Sequence, residues 1–252
     1  MQQSLYSAAV GMTSQQTRLD TIAQNIANSQ SAGYKAARVD FKDALYQTMK
    51  TPVLEDGAEN NLLVGSGAVV ASIATTFEQG SIVATGEMYD FAIAGSGFFA
   101  LRGRNGEVMY TRSGSFRAAP FNDEMYLTSQ SGEFVLGTDG DVIRIPDGGI
   151  RVAEDGTIYS NDERVGQIGL YDFTNPNGLS KVGETRFMET AASGPAEAQT
   201  EGIILQGNLE QSNVSLADEM TMLIRSQRAY ALMSRALSTT DNMLGLANTM
   251  HS

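Results

Sequence analysis

The chain has 252 residues, 42% hydrophobic and 18% charged, with a formal net charge of −12, one histidine, and no cysteine or tryptophan. That is long enough for one large domain or two small ones and apolar enough to bury a core, which excludes global disorder. The missing cysteines exclude disulfides, thiolate metal sites and cysteine nucleophiles, and a lone histidine at position 251 argues against a histidine-based catalytic or metal centre.

No enzyme activity, cofactor or metal is therefore expected. No apolar run approaches the ~18 residues of a membrane helix. Met1-Gln2-Gln3-Ser4 has neither the basic nor the apolar segment of a secretory signal. The charge is unevenly spread: residues 1–50 net +2 and residues 211–252 net 0, so the middle holds −14 of the total −12. An acidic middle repels phosphates, and nucleic acid is not an expected partner.

Over residues 5–26, Leu5, Ala8, Met12, Gln15, Leu19, Ile22 and Ile26 alternate at spacings of three and four. This heptad seam predicts a helix over about residues 3–31, roughly 45 Å long at ~1.5 Å per residue and closed by Gly33. Gln15 in the seam is a register-setting polar residue. Phe41, Leu45 and Met49 fit a short helix or a docked arm. The acidic, Asn- and Gly-rich residues 55–61 read as an exposed loop.

From about residue 69 to 209 the pattern is of strands. Val69, Ala71, Ile73 and Phe77 alternate, as do Tyr89, Phe91 and Ile93. Asn105-Gly106 and Asp155-Gly156, each between apolar runs, predict hairpins, and the frequent turns predict a meander of short antiparallel strands. Gly95-Ser96-Gly97 is no phosphate loop, because Phe98-Phe99-Ala100-Leu101 after it reads as strand where a helix N-terminus is needed. Asp139-Gly140-Asp141 lacks the alternating oxygen ligands of a calcium loop. Most Tyr and Phe fall at strand positions that read as buried, so a saccharide-binding or adhesin-like surface module, the competing function class, lacks its exposed aromatic platform.

Ser215-Leu216-Ala217-Asp218 reads as a capping box. Behind it Leu216, Met220, Leu223, Gln227, Tyr230, Ser234, Leu237, Asp241 and Leu244 recur at three-four spacing. A second stripe of Ala229, Met233, Ala236, Thr240, Met243, Ala247 and Met250 lies roughly 100° further round. One partner helix cannot cover both stripes: either a larger bundle forms within the chain or other copies supply the missing surface, with methionines as adaptable contacts, and the doubled stripe favours assembly over an intramolecular helical hairpin beneath the β domain.

The expected fold class is α+β: long N- and C-terminal helices forming a coiled-coil-like bundle, with an inserted antiparallel β domain. The expected divisions are an N-terminal helix (1–33), a linker or arm with the acidic loop (34–68), a β-rich outer domain (69–210) and a C-terminal helix (211–252).

Four blocks in order resemble the bacterial flagellar basal-body rod and hook family along essentially the whole chain. They are Asn25-Ile26-Ala27-Asn28 with Ala32-Gly33-Tyr34-Lys35, and Gln79-Gly80, Thr85-Gly86 with Asp90-Phe91-Ala92-Ile93-Ala94-Gly95-Ser96-Gly97-Phe98-Phe99. Tyr110-Thr111-Arg112-Ser113-Gly114-Ser115-Phe116 follows, then Gly207-Asn208-Leu209-Glu210-Gln211-Ser212-Asn213-Val214 with Gln227-Arg228-Ala229-Tyr230. The run Phe41-Lys42-Asp43-Ala44-Leu45-Tyr46-Gln47 is similar to the distal-rod type, the proximal-rod subunit of similar length being the alternative.

The resemblance implies a structural axial subunit that self-assembles into a helical tube carrying torque from motor to hook. The implied partners are copies of itself, other rod subunits, hook or hook-junction proteins, the rings around the rod and a type III export apparatus. The implied location is the basal body in the periplasm and cell envelope, reached without a cleaved signal peptide. The expected assembly seam is Leu5, Met12, Leu19, Ile22, Ile26, Leu216, Met220, Leu223, Tyr230, Met233, Leu237, Met243 and Leu244. Asn25, Asn28, Gly33, Gly80, Gly95 and Gly97 are the turn positions of the family motifs.

Overall fold

A computed structural model describes residues 2–44, 46–48, 63–65, 67–122, 124–146, 149–161, 163–199 and 202–249. The acidic run 55–61, Leu45, Met49 and Met250 lie outside the described residues, as do the side chains of Leu5, Leu244 and Ala247. The chain forms two compact units. One comprises Met1–Ile26, Ala37–Ala74 and Ser215–Ser252, the other Ala27–Ala36 and Thr75–Val214, and the chain passes between them four times.

The first unit carries two long helices, α1 (Gln2–Ala27) and α2 (Leu216–Thr249). α1 ends earlier than its seam predicts, and Gly33 does not close it. After Ala27 the backbone turns, the Ser31 amide donating to the Asn28 carbonyl at 3.1 Å. Asn25 donates to the Glu219 carboxylate at 3.0 Å, and Gly11 lies so close to Met233 that a Cβ there would stand 3.3 Å from its sulfur. Both contacts pair residues whose numbers rise on one helix as they fall on the other, so α1 and α2 run antiparallel. A coiled-coil bundle is more than this single pair.

α2 begins where expected, directly after Ser215, with Asp218 and Glu219 favourably placed near its N-terminal dipole. The Asp218–Ser215 capping bonds are not made; the carboxylate of the first turn that finds a partner is Glu219. Residues 37–43 are not helical. Ala37–Asp43 is a strand pairing with Ala68–Thr75, because the Ala37 backbone is claimed by Asn25. The Ser14 hydroxyl donates to the Ala68 carbonyl at 3.0 Å.

The strands of the second unit pair antiparallel, joined by turns and irregular stretches and, among the described residues, one 3-10 turn at Pro176–Gly178. Its central strand, Phe98–Arg102, pairs with Val108–Thr111 (Phe99 opposite Thr111), Phe134–Val135 (Arg102 opposite Phe134) and Leu170–Asp172 (Phe99 opposite Leu170). Four successive residues of this strand, Phe98 to Leu101, are buried because it has a core on each face. Phe99 and Leu101 join Phe91, Ile93, Leu127, Ile158 and Ile204. Phe98 and Ala100 join Tyr110, Phe173 and Phe187, whose rings meet edge-to-face.

Each fully buried large side chain contributes on the order of 1.5–3 kcal/mol. Both predicted hairpins form. Val108–Thr111 returns after a loop in which the Gly103 amide donates to the Glu107 carbonyl, and Gly106 takes the left-handed conformation (φ +84°) that such a loop needs. Strand Ile203–Gln206 pairs with Phe91–Ala94 and Asn208–Glu210 with Ile82–Ala84, bringing the last family motif beside the second.

Candidate functional site: a buried charged junction and an uncovered helix face

Within the β unit, four separated segments meet on one buried carboxylate. Lys35 donates to Glu210 Oε1 at 2.6 Å and Arg112 Nε to Glu210 Oε2 at 3.1 Å; the Lys35 and Glu210 side chains are 0% exposed and that of Arg112 4%. The Gly80 amide adds a third bond to Oε1 at 2.9 Å. Two cations share one anion, so the cluster carries a net positive charge away from water. Backbone carbonyls spread that excess: Lys35 also donates to Glu78 at 2.6 Å, and Arg112 to Gly97 at 2.5 Å and Gly95 at 2.8 Å. Burial lowers the Lys35 pKa, Glu210 pulls it back up, and Arg112 lowers it further.

The glycines of the motifs serve this approach. The Gly33 amide donates to the Glu210 carbonyl at 2.7 Å, and a Cβ on Gly33 would stand 2.3 Å from the Ser113 nitrogen. A Cβ on Gly80 would stand 2.0 Å from the Gln211 carbonyl oxygen. Gln79 ties the same region together, donating to the Ile93 carbonyl and accepting from the Gly95 amide. Tyr34 is fully buried, with the Lys181 ammonium 4.4 Å from its ring centre. Burial lowers the Lys181 pKa, with Glu184 opposing.

Asparagines fasten the passes of the chain on each side. In the β unit, Asn213 accepts from the Ala36 amide at 2.8 Å and donates to the Thr76 and Glu78 carbonyls. In the helical unit, Asn25 donates to the Ala37 carbonyl at 2.8 Å, accepts from its amide at 2.9 Å and reaches Glu219. Asn28 is buried and accepts from the Ser31 hydroxyl. Of the predicted turn positions, then, Gly33, Gly80, Gly95 and Gly97 converge on the charged cluster, and Asn25 belongs to the other unit. The motif spellings contained Lys35, Arg112, Glu210 and Asn213, but turn chemistry drew attention to the glycines instead. The available signal was three charged residues flanked by small or apolar neighbours, which surface positions do not require.

On α1 the buried residues are Ser14, Thr21, Ile22 and Asn25. At about 100° per residue, Met12, Leu19 and Ile26 lie more than about 100° round from the Ser14–Thr21–Asn25 line and are half-buried. Gln15 Oε1 is buried and has no hydrogen-bond partner among the described residues. On α2, Leu223, Tyr230, Met233 and Leu237 are half-buried along one face. Leu216, Met220, Ile224, Leu232, Met243 and Leu246 are exposed, Leu232 by 64% and Leu246 by 65%. The predicted seam is thus split between a half-buried part on the side that meets α1 and a part, Leu216, Met220 and Met243, that the described residues leave uncovered.

Among the described residues no three His, Cys, Asp or Glu side chains cluster as a metal site, and no helix is long and apolar enough to cross a membrane. The junction is held by ion pairs and hydrogen bonds with no nucleophile or acid–base pair in a cleft.

Three family descriptions match the chain: flagella basal body rod protein over residues 5–35, flagellar hook protein FlgE/F/G D1 domain over 92–160, and flagellar basal body rod FlgEFG protein C-terminal over 205–250. Among similar proteins, the flagellar basal-body rod protein FlgG of Borreliella burgdorferi is 38% identical over 99% of both chains. FlgG of Bacillus subtilis is 34% identical over 97% of both, and the flagellar basal-body rod protein FlgF of Mesorhizobium japonicum is 34% identical over 97% of both.

Proposed function

The chain belongs to the flagellar basal-body rod protein family, a structural subunit rather than an enzyme, and we propose that it is the distal-type subunit of the rod. The FlgG names of its relatives and the segment Phe41-Lys42-Asp43-Ala44-Leu45-Tyr46-Gln47 support the distal type over the proximal one. Copies associate through their helices into a tube: of the seam, Leu216, Met220 and Met243 are the contacts offered to neighbouring copies, while Leu223, Tyr230, Met233 and Leu237 lie on the half-buried side of α2 that meets α1. Head-to-tail contacts that do not close on themselves yield a helical filament, and torque passes through interdigitated side chains from motor to hook.

The observation that carries this reading is the exposed apolar face of α2, Leu216, Met220, Ile224, Leu232, Met243 and Leu246. An isolated amphipathic helix is marginal in water. Each Leu, Ile or Met covered by a neighbour contributes on the order of 1.5–3 kcal/mol, enough to offset helix ordering only when several seams close together. The near-neutral ends pack against their own copies without mutual repulsion, while the acidic middle stays solvated. Other rod subunits, hook or hook-junction proteins and the surrounding rings are the further partners. An export apparatus delivers the chain to the basal body in the cell envelope.

Electron microscopy of the concentrated full chain tests this. Filaments or tubes are expected, and Leu232→Glu should abolish them while leaving the circular dichroism of the dilute protein unchanged. A strictly monomeric protein with the same helix content at every concentration overturns the assembly reading.

A further inference from the structure

The β unit contains a cleft of about 610 Å³ that the rod reading does not use. This volume lies within the ~300–1,000 Å³ of small-ligand sites. One wall is aromatic: Phe121, Tyr126 and Phe134 lie with ring centres 5.3–6.3 Å apart, each edge-to-face with the others. Phe121 is 52% exposed, while Phe91, Phe98, Phe99, Phe116, Phe173 and Phe187 of the same unit are buried. The aromatic platform that strand alternation did not predict is therefore present, at the end of the edge strand Phe116–Phe121.

Beside the rings the cleft is polar and carries charges of both signs: Arg102 is paired across the sheet with Phe134 and Arg144 with Tyr126, and Asp139 and Asp141 complete the lining. The two arginines are held in place, Arg102 by the Gly140 carbonyl at 2.6 Å and Arg144 by Glu124 at 3.0 Å. Glu124 in turn accepts from the Tyr126 hydroxyl at 2.6 Å. Each guanidinium keeps further N–H donors free. The carboxylates of Asp139 and Asp141 make no hydrogen bond or ion pair among the described residues, so both are open acceptors.

A ligand for this cleft must present an apolar face to the rings, and must both donate to carboxylates and accept from guanidiniums. It should carry no net charge, since an anion would meet Asp139 and Asp141 and a cation would meet Arg102 and Arg144. Phosphates are repelled by those carboxylates, and a basic peptide would meet two fixed arginines. A pyranose satisfies every condition, with axial C–H groups on one face and hydroxyls that donate and accept around its rim.

We propose that this cleft binds a neutral oligosaccharide, with Phe121 as the stacking platform and Asp139 and Asp141 as hydroxyl acceptors. The site is independent of the assembly seam. The test is saturation-transfer NMR and calorimetry on the full chain, kept dilute, with cellotriose and triacetylchitotriose as probes and adenosine as a planar-ring control. The expected result is transfer to pyranose C–H protons with a dissociation constant below about 1 mM for one of the two sugars. Phe121→Ala should weaken it about tenfold or more. The surface pair Asp139→Asn with Asp141→Asn should also weaken it, at unchanged circular dichroism, so the proposal does not depend on the fold tolerating loss of the ring. Absence of transfer from both sugars, binding indifferent to both variants, or adenosine binding better than either sugar overturns it.

Discussion

Replacing Glu210 by Gln should be the most costly single change in the β unit, and costlier than removing either cation. The carboxylate accepts from Lys35 at 2.6 Å, from Arg112 at 3.1 Å and from the Gly80 amide at 2.9 Å, all out of contact with water. Glutamine keeps one oxygen for Lys35 and Gly80 but turns an N–H₂ toward the Arg112 donor, leaving two buried cations without an anion. Breaking a buried charge pair from one side costs about 3–5 kcal/mol. With a urea m value of about 2 kcal/mol/M, that is a midpoint lowered by roughly 1.5–2.5 M. Lys35→Met leaves no excess charge behind: Glu210 and Arg112 then form a neutral pair, and the desolvation that lowers the Lys35 pKa is relieved. Its cost should stay below about 2 kcal/mol, in line with apolar replacement of buried ions. Urea unfolding followed by tyrosine emission, undisturbed by tryptophan, measures both. If Lys35→Met costs as much as Glu210→Gln, or if Glu210→Gln costs less than about 1 kcal/mol, the cluster is not the buried two-cation junction described.

Gly33→Ala forces a Cβ to within 2.3 Å of the Ser113 nitrogen at φ +68°, and should cost more than about 2 kcal/mol in the same assay. Burial, with Glu189 and Tyr171 adding, pushes the Tyr110 pKa up to about 12. The folded protein then resists a deprotonation that the unfolded chain undergoes near 10, so this contribution is complete below pH 10 and lost as pH rises toward 12. Tyr110→Phe should flatten that alkaline loss, read as urea midpoint against pH. Asn25→Asp would set a second carboxylate beside Glu219 in place of an N–H₂ donor 3.0 Å from it. The helical signal should melt earlier at pH 7 and recover as acid protonates the pair, since like charges raise carboxyl pKa values; no recovery would count against this contact. A fragment of residues 27–214 should fold cooperatively, whereas 69–210, which lacks Lys35 and Asn213, should be destabilised by at least about 3 kcal/mol, as chemical denaturation of the two will tell.

The strand region and its hairpins were legible because turn chemistry and alternation are local: Asn105-Gly106 and Asp155-Gly156 sit between paired strands. The existence of both helices was legible from period alone. Their buried faces were not. Ser14 and Asn25 are buried on α1 because each has a specific backbone acceptor outside the helix, the carbonyls of Ala68 and Ala37, and hydropathy cannot register a polar residue whose bond lies elsewhere in the chain. For the same reason the helix end came four residues early. The apolar seam stops at Ile26 and only the stop signal at Gly33 extended the expected helix; Gly33 and Ala36 are instead bound by Glu210 and Asn213, tertiary bonds that outweigh a marginal last turn. Phe121 escaped notice because strand alternation cannot tell that a residue ends an edge strand over a cleft.

The family motifs look like four signatures, yet most of their residues answer to one constraint. A chain that leaves a helical unit, enters a β unit and returns must fix backbone at each pass, at about 1–2 kcal/mol of entropy per residue. An asparagine side chain offers the donor and acceptor of a peptide group without continuing the chain, and each unit uses one: Asn25 on both backbone groups of Ala37, Asn213 on Ala36 and Thr76. Hydrogen bonds of this kind are worth about 1 kcal/mol each, too little alone to hold a segment as short as Ala27–Ala36 in the β unit. The Lys35–Arg112–Glu210 cluster adds what they lack. Lys35 on Glu210 and the Glu78 carbonyl, the Gly33 amide on the Glu210 carbonyl and the Ala36 amide on Asn213 form together, so the segment is either fully seated, with Glu210 shared by its two cations, or released. Motifs 175 residues apart in sequence, such as those of Lys35 and Glu210, are in that sense one all-or-none fastening.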